Sequence, residues 1–299
     1  MERKRRMTNR IKNVCKHAAT AALVLISLFA ISGCQTTKTT AVSDKEKTVE
    51  SSKVIEKTTI PTLFFHGYSG TENSFKGMLQ RLEKNQKAVK ELVLIVEADG
   101  QIQAEGDLSG KADNPMVQVL FADNKNNEWN QAEWIKSCLL YLKENYSIDK
   151  VNIVGHSMGG VSALRYLGTY GQDTSLPQVQ TFTAIGAPFN DFVDDSGQSL
   201  TEELAMGPAV VSSRYQDYQQ IIGNMPTTTR FFLIAGQLDE ADLSDGTVPL
   251  NSALAVYALL KQHGNEVEEK IVKGENAAHS MLHENQEVDQ LVSRFVWNE

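Results

Sequence analysis

Apolar residues fall into two rhythms along this chain, and the two rhythms alternate. Short runs of nearly unbroken apolar character occupy residues 60–65, 92–96, 116–121, 151–154, 179–185, 230–235 and 267–272. Such runs read as strands buried on both faces. Between them lie stretches in which apolar side chains recur every three or four positions, the spacing of one helix face. Phe75, Met78, Leu79 and Leu82 line one such face over 71–85, and Trp129, Trp134, Ile135, Leu139 and Leu142 line another over 128–146. Helices are also predicted over 161–167, 252–262 and 285–297. The alternation predicts an α/β fold with a mainly parallel sheet covered by helices on both faces. Ligands on such sheets bind beyond the carboxyl ends of the strands.

Three stretches break the rhythm. Residues 97–115 are polar and contain glycine, which predicts a hairpin or a surface excursion. Residues 189–229 place Val210, Val211, Tyr215, Tyr218, Ile221 and Ile222 at helical spacing, and read either as a small cap over a site or as an amphipathic connection packed on the sheet. The third is the amino-terminal part. Arg3, Lys4, Arg5, Arg6, Arg10, Lys12 and Lys16 precede an apolar run over 18–31, the arrangement of a secretory signal peptide. That run ends in Ile31-Ser32-Gly33-Cys34, which resembles the lipobox of bacterial lipoproteins. The resemblance implies removal of residues 1–33 and acylation of Cys34, palmitate being one such acyl group, so that the chain is exported and held on the outer face of the cell membrane. Residues 34–58 are rich in Thr, Lys, Ser and Glu, and read as a flexible tether that spans about 25 to 30 Å on average. The folded domain is expected over 59–299.

Charge narrows the classes of function. The 299-residue chain has a formal net charge of -8, but its first 33 residues carry seven Lys or Arg against one Glu. The remainder holds 22 basic and 36 acidic residues, which offers no electrostatic footprint for nucleic acid. Of the three cysteines, Cys15 lies in the signal, Cys34 in the lipobox and Cys138 on an apolar helix face. The domain must therefore hold itself together by packing, without an internal disulfide, and Cys138 reads as core.

The strand over 151–154 runs into Gly155-His156-Ser157-Met158-Gly159, a Gly-x-Ser-x-Gly pattern between a strand and a helix. Such a turn holds a nucleophilic serine at a strained backbone position above a sheet. No His or Asp pair has metal-ligand spacing, and the aspartates of 239–245 lack the glycine and glutamate of a calcium loop. No metal and no cofactor are expected.

Taken together, the strand order, the serine turn and the loop His66-Gly67-Tyr68-Ser69-Gly70 resemble the alpha/beta hydrolases, and in particular lipid-anchored or secreted hydrolases of Gram-positive bacteria. The resemblance covers about residues 59–299. It implies a chain order of serine, acid, histidine. Asp245 lies in Asp245-Gly246-Thr247-Val248-Pro249, which is similar to the family's Asp-x-x-Val-Pro pattern after the corresponding strand; Asp239 is the competing acid. His279, just ahead of the last helix, fits the family's general base, with His283 as its rival. The resemblance further implies an oxyanion hole from the main-chain N–H groups of Tyr68 and Met158. The activity it implies is hydrolysis of a small-molecule or lipid carboxylic ester through an acyl-enzyme. Thioesterase, acyltransferase or amidase chemistry would use the same residues, and a non-catalytic surface binding protein is the alternative from another class. No protein partner is indicated.

Overall fold

The structure, a computed structural model, describes residues 57–193 and 197–298. The signal peptide, Cys34 and all but the last two residues of the tether lie outside the described residues.

The chain runs through β1 (Thr62–Phe65), α1 (Asn73–Lys84), β2 (Val89–Val96), β3 (Ile102–Gly106), β4 (Pro115–Phe121), α2 (Glu128–Tyr146), β5 (Lys150–His156) and α3 (Met158–Tyr170). It continues through β6 (Gln178–Ile185), β7 (Phe189–Phe192), α4 (Leu200–Met206), α5 (Ser213–Ile221), β8 (Arg230–Gln237), α6 (Leu250–Leu254), α7 (Val256–His263), β9 (Val267–Lys273) and α8 (Gln286–Trp297). Eight strands form one sheet in the order β3-β2-β4-β1-β5-β6-β8-β9. Every neighbouring pair is parallel except β2 and β3, which form an antiparallel hairpin at one edge.

The apolar runs follow from burial on both sides. In β1, Leu63 and Phe65 face a core shared with α2 and α3, whereas Phe64 faces a second core shared with α1 and α8. In β5, Ile153 and Val154 divide the same way. Each such aliphatic or aromatic side chain, withdrawn from water, contributes about 1.5–3 kcal/mol. Asn127 caps α2 by accepting N–H bonds from Trp129 and Asn130, and Ser147 ends it in a left-handed conformation with φ 55°.

Several expectations are refined. The polar stretch over 97–115 contains the hairpin strand β3, whose side chains point mostly to solvent. The predicted helix over 252–262 is two helices that meet at Ala255. Trp129 is exposed, not buried with its predicted face, and its ring lies under the Arg165 guanidinium at 4.4 Å. Cys138 is buried, and burial pushes its thiol pKa far up.

Within 189–229, Tyr215 and Tyr218 are buried, and the Tyr218 hydroxyl donates to the Val161 carbonyl at 3.2 Å. Helix α5 is thus laid on α3 as part of the domain core. Val210 and Val211 precede that helix and are not on its face. A buried ion group fastens this layer: Glu128 on α2 receives Arg165 of α3 at 2.5 Å and Arg214 of α5 at 2.6 Å.

Candidate active site

Three loops at the carboxyl ends of the strands build the site. The first is the turn between β5 and α3. Ser157 is its only residue, with φ 53° and ψ -123°. A non-glycine residue in this region carries strain of about 1–3 kcal/mol, which the surrounding contacts must offset. Its N–H donates to the Ile185 carbonyl at 2.9 Å, and its own carbonyl accepts from Gly160 and Val161. A Cβ on Gly159 would stand 2.2 Å from the Phe65 carbonyl oxygen, so only glycine lets α3 approach β1 this closely.

The second loop follows β8. Asp245 is 2% exposed, and its Oδ1 accepts main-chain N–H bonds from Thr247 at 2.9 Å and Val248 at 2.7 Å. Those two donors leave Oδ2 free to face His279. The third is the 3-10 turn His279–Glu284 after β9. His279 Nδ1 lies 2.7 Å from Asp245 Oδ2, and His279 Nε2 lies 2.9 Å from Ser157 Oγ. The main chain ties the same pair together, since His279 N–H donates to the Asp245 carbonyl at 2.8 Å. A carboxylate can only accept, so it draws the imidazole proton to Nδ1. Nε2 then presents its lone pair to the Ser157 hydroxyl, which donates. In this tautomer the imidazole can take a proton from serine while the buried carboxylate supports the resulting positive charge.

Residues 66–70 form a fourth wall. His66 Nε2 accepts the Phe121 N–H at 3.1 Å, so its proton sits on Nδ1 and donates to the Gly67 carbonyl at 2.8 Å. That carbonyl also accepts from Gly70 N–H at 2.9 Å. In a trans peptide the Tyr68 N–H points the opposite way from the bound Gly67 oxygen. An added Gly67 Cβ would meet Ser157 Cβ at 2.8 Å, which places this loop against the serine. Met158 opens α3, where first-turn N–H groups have no partner within the helix. Among the described residues, neither the Tyr68 nor the Met158 N–H is donated to a protein group.

The rival residues stand elsewhere. Asp239 is exposed and accepts from the N–H groups of Ala241 and Asp242 in its own turn. His283 Nδ1 lies 3.3 Å from Glu284 Oε1, not near the serine hydroxyl. Burial lowers the pKa of His66, and lowers that of His283. His156 is held well below the usual histidine range, first by burial and then by the neighbouring imidazoles. The His156 ring, 4.7 Å from that of His279, is therefore held neutral.

Three residues that sequence reasoning passed over shape the site. Gly186, at φ 56°, sits where a Cβ would stand 3.0 Å from Asp245 Oδ2 and 3.4 Å from His279 Nδ1. His156 donates from Nε2 to the His279 carbonyl at 3.0 Å. Arg81 on α1 grips the turn that carries His279, donating to the His283 carbonyl at 3.0 Å and to Glu284 at 2.9 Å. Gly186 directly follows the predicted strand over 179–185 and His156 lies inside the Gly-x-Ser-x-Gly pattern, but nothing local in the sequence marks Arg81.

Tyr68, Leu243 and Met281 are exposed on three different segments that follow carboxyl ends of strands, and Phe192 is exposed at the end of the short strand β7. A groove of about 790 Å³ between α1 and α8 is lined by none of Ser157, Asp245 and His279. Among the described residues, no group of three or more His, Cys, Asp or Glu side chains could hold a metal ion. No described helix is long and apolar enough to cross a membrane.

The sequence matches, over residues 49–299, the family described as alpha/beta hydrolase of unknown function (DUF915). The fold is similar to that of the lin2722 gene product of Listeria innocua, with 27% identity and a TM-score of 0.73 over 79% of this chain and 93% of that one. It is also similar to a Lactobacillus plantarum WCFS1 protein provisionally named a cell surface hydrolase, with 24% identity and a TM-score of 0.67 over 80% of this chain and 92% of that one. No curated protein matches the chain.

Proposed function

Because the chain belongs to the alpha/beta hydrolases of unknown function grouped as DUF915, we propose that it is a serine hydrolase of carboxylic esters that works through an acyl-enzyme. Ser157 is the nucleophile, His279 the general base and acid, and Asp245 the carboxylate that orients the imidazole. The observation that carries this reading is the unbroken chain from Ser157 Oγ to His279 Nε2 at 2.9 Å and from His279 Nδ1 to Asp245 Oδ2 at 2.7 Å.

In the acylation half, Ser157 Oγ attacks the ester carbonyl carbon as its proton passes to His279 Nε2. The carbonyl oxygen becomes an oxyanion and takes the N–H groups of Tyr68 and Met158, which among the described residues are donated to no protein group. The C–O bond to the alcohol breaks, and His279 returns the proton to the leaving oxygen. Water then repeats the sequence on the acyl-serine, with His279 as base, and releases the acid. Asp245 remains ionised throughout and offsets the imidazolium charge. The exposed apolar side chains of Tyr68, Phe192, Leu243 and Met281 suit an ester with an apolar acyl or alcohol part, lipid esters included. The proposal extends to location: acylated Cys34 would hold the enzyme on the outer face of the membrane.

A fluorophosphonate probe tests the core of this reading, because it labels an activated serine without knowledge of the substrate. The full chain should label stoichiometrically, and Ser157→Ala and His279→Ala should each lose labelling and p-nitrophenyl ester hydrolysis by at least about 10³-fold. A well-folded native chain that takes no label would instead support a binding protein on this fold.

A further inference from the structure

The turn that carries the base is tied to the strand that carries the nucleophile by a side chain that takes no part in proton transfer. His156 is the last residue of β5, immediately before Ser157, and its ring is buried. Its Nε2 lies 3.0 Å from the His279 main-chain oxygen. A carbonyl oxygen only accepts, so the proton is on Nε2 and the lone pair is on Nδ1. The ring lies 4.7 Å from the His279 ring and 4.8 Å from the His283 ring, meeting the latter edge to face at 86°. On another side it backs the loop of Tyr68, where a Cβ on Gly67 would stand 3.4 Å from His156 Nδ1. One imidazole thus touches the segments that bear the nucleophile, the base and one oxyanion donor.

The hydrogen bond matters because of what else holds His279. Its N–H is bound to the Asp245 carbonyl at 2.8 Å, which fixes one end of the residue's main chain. The His156 bond fixes the other end. With both ends held, the Cα–Cβ direction of His279 is set before its side chain makes any contact. The 2.9 Å reach of Nε2 to Ser157 Oγ then needs only a rotamer. Without that bond the main chain of His279 itself is held through its N–H alone, Arg81 gripping the turn only farther on, at His283 and Glu284, and a displacement of about 1 Å at the base is enough to cost 10²-fold in rate.

Resting on the assignment of His279 as the base, we propose that His156 is a positioning residue, whose Nε2–H holds the main chain of the base at a set distance from the nucleophile. This is a different role from filling space. A space-filling histidine would be replaceable by any side chain of its size, whereas a positioning donor is replaceable only by one whose N–H reaches the same point.

Glutamine and asparagine separate the two. The amide nitrogen of glutamine reaches about where Nε2 stands, and that of asparagine about where Nδ1 stands. In the full chain, His156→Gln should keep p-nitrophenyl ester hydrolysis within about three-fold of native, while His156→Asn and His156→Leu should lower kcat about 10- to 100-fold. KM should stay within about two-fold, because the bond orients the base and does not touch substrate. Fluorophosphonate labelling rates should rank the variants in the same order. Equal activity in the Gln and Asn variants overturns the proposal, as does a fall carried entirely by KM. If His156→Leu fails to fold, the Gln and Asn pair decides alone. His279→Ala in the same assay keeps the two levels apart. Activity that survives there removes the assignment of the base, whereas loss there beside indifferent His156 variants removes only the positioning role.

Discussion

Asp245 has no freedom to face any other way. Its Oδ1 is occupied by the N–H groups of Thr247 and Val248, so whatever atom replaces Oδ2 must face His279 Nδ1. In Asp245→Asn the amide oxygen stays with those two donors, and the NH2 group confronts Nδ1. The imidazole must then carry its proton on Nε2, where it can no longer accept from Ser157. We expect kcat for p-nitrophenyl ester hydrolysis to fall about 10⁴-fold with the fold intact. Asp239→Asn should stay within about two-fold of native, since that exposed carboxylate only closes its own turn. The reverse ranking would move the orienting role to Asp239. The sequence placed both aspartates on one loop and separated them only by a resemblance, because a turn-forming Asp and an orienting Asp have the same local surroundings. What distinguishes them is nonlocal: the direction of the turn, and a histidine 34 positions away. His156 illustrates the same limit, since a histidine beside the nucleophile carries no sign of which carbonyl it will meet.

At the scale of elements, helices were legible through their apolar faces, while their polar faces were not. Helix α1 shows Phe75, Met78, Leu79 and Leu82 on its buried side, as the spacing predicts. Arg81 on the same helix reads as an ordinary surface charge, yet its guanidinium makes a forked pair with Asp289 of α8, at 2.5 Å and 3.0 Å, and also reaches Glu284 and the His283 carbonyl. This one side chain joins α1, the turn of His279 and α8. The Asp289 side chain is only 7% exposed, so Arg81→Ala would leave a buried carboxylate without its partner. Because Arg81 itself is 22% exposed, the cost should fall below that of a fully buried pair, at about 2 kcal/mol. Urea denaturation should show a lower midpoint with an unchanged slope. A midpoint indistinguishable from native would make Arg81 a surface charge after all. Strand β3 was readable only as one of two alternatives, a hairpin or a surface excursion, for a related reason: its exposed side chains leave no apolar rhythm, and main-chain pairing with β2 alone makes it a strand.

For the molecule as a whole, the alternation of apolar runs and helical spacing made the layered α/β arrangement readable, because a sheet covered on both faces leaves few polar positions inside its strands. The order of the strands has a further consequence. The chain enters β1 at its amino end through Thr58 and Pro61, whereas Ser157 stands beyond the carboxyl end of the neighbouring β5. Under the proposed anchoring at Cys34, the tether therefore joins the domain on the side away from the candidate site. If residues 34–58 form the flexible tether that their composition predicts, they would span about 25–30 Å, more than the radius of gyration of about 18 Å expected for a domain of this size. Under the proposed anchoring, that length would let the domain turn its site back toward the membrane. Deleting residues 36–50 would leave a span of about 17 Å, too short for that turn. The shortened protein should remain in the membrane fraction and hydrolyse soluble p-nitrophenyl esters at the native rate. Its cleavage of an ester embedded in the same vesicles should slow at least about ten-fold, because a linker that cannot span the distance removes the effective concentration of the site at the surface. Cys34→Ser should instead release the protein and abolish any difference between the two tether lengths. Equal rates on embedded ester for both lengths would mean that the substrate reaches the site from the side facing away from the membrane.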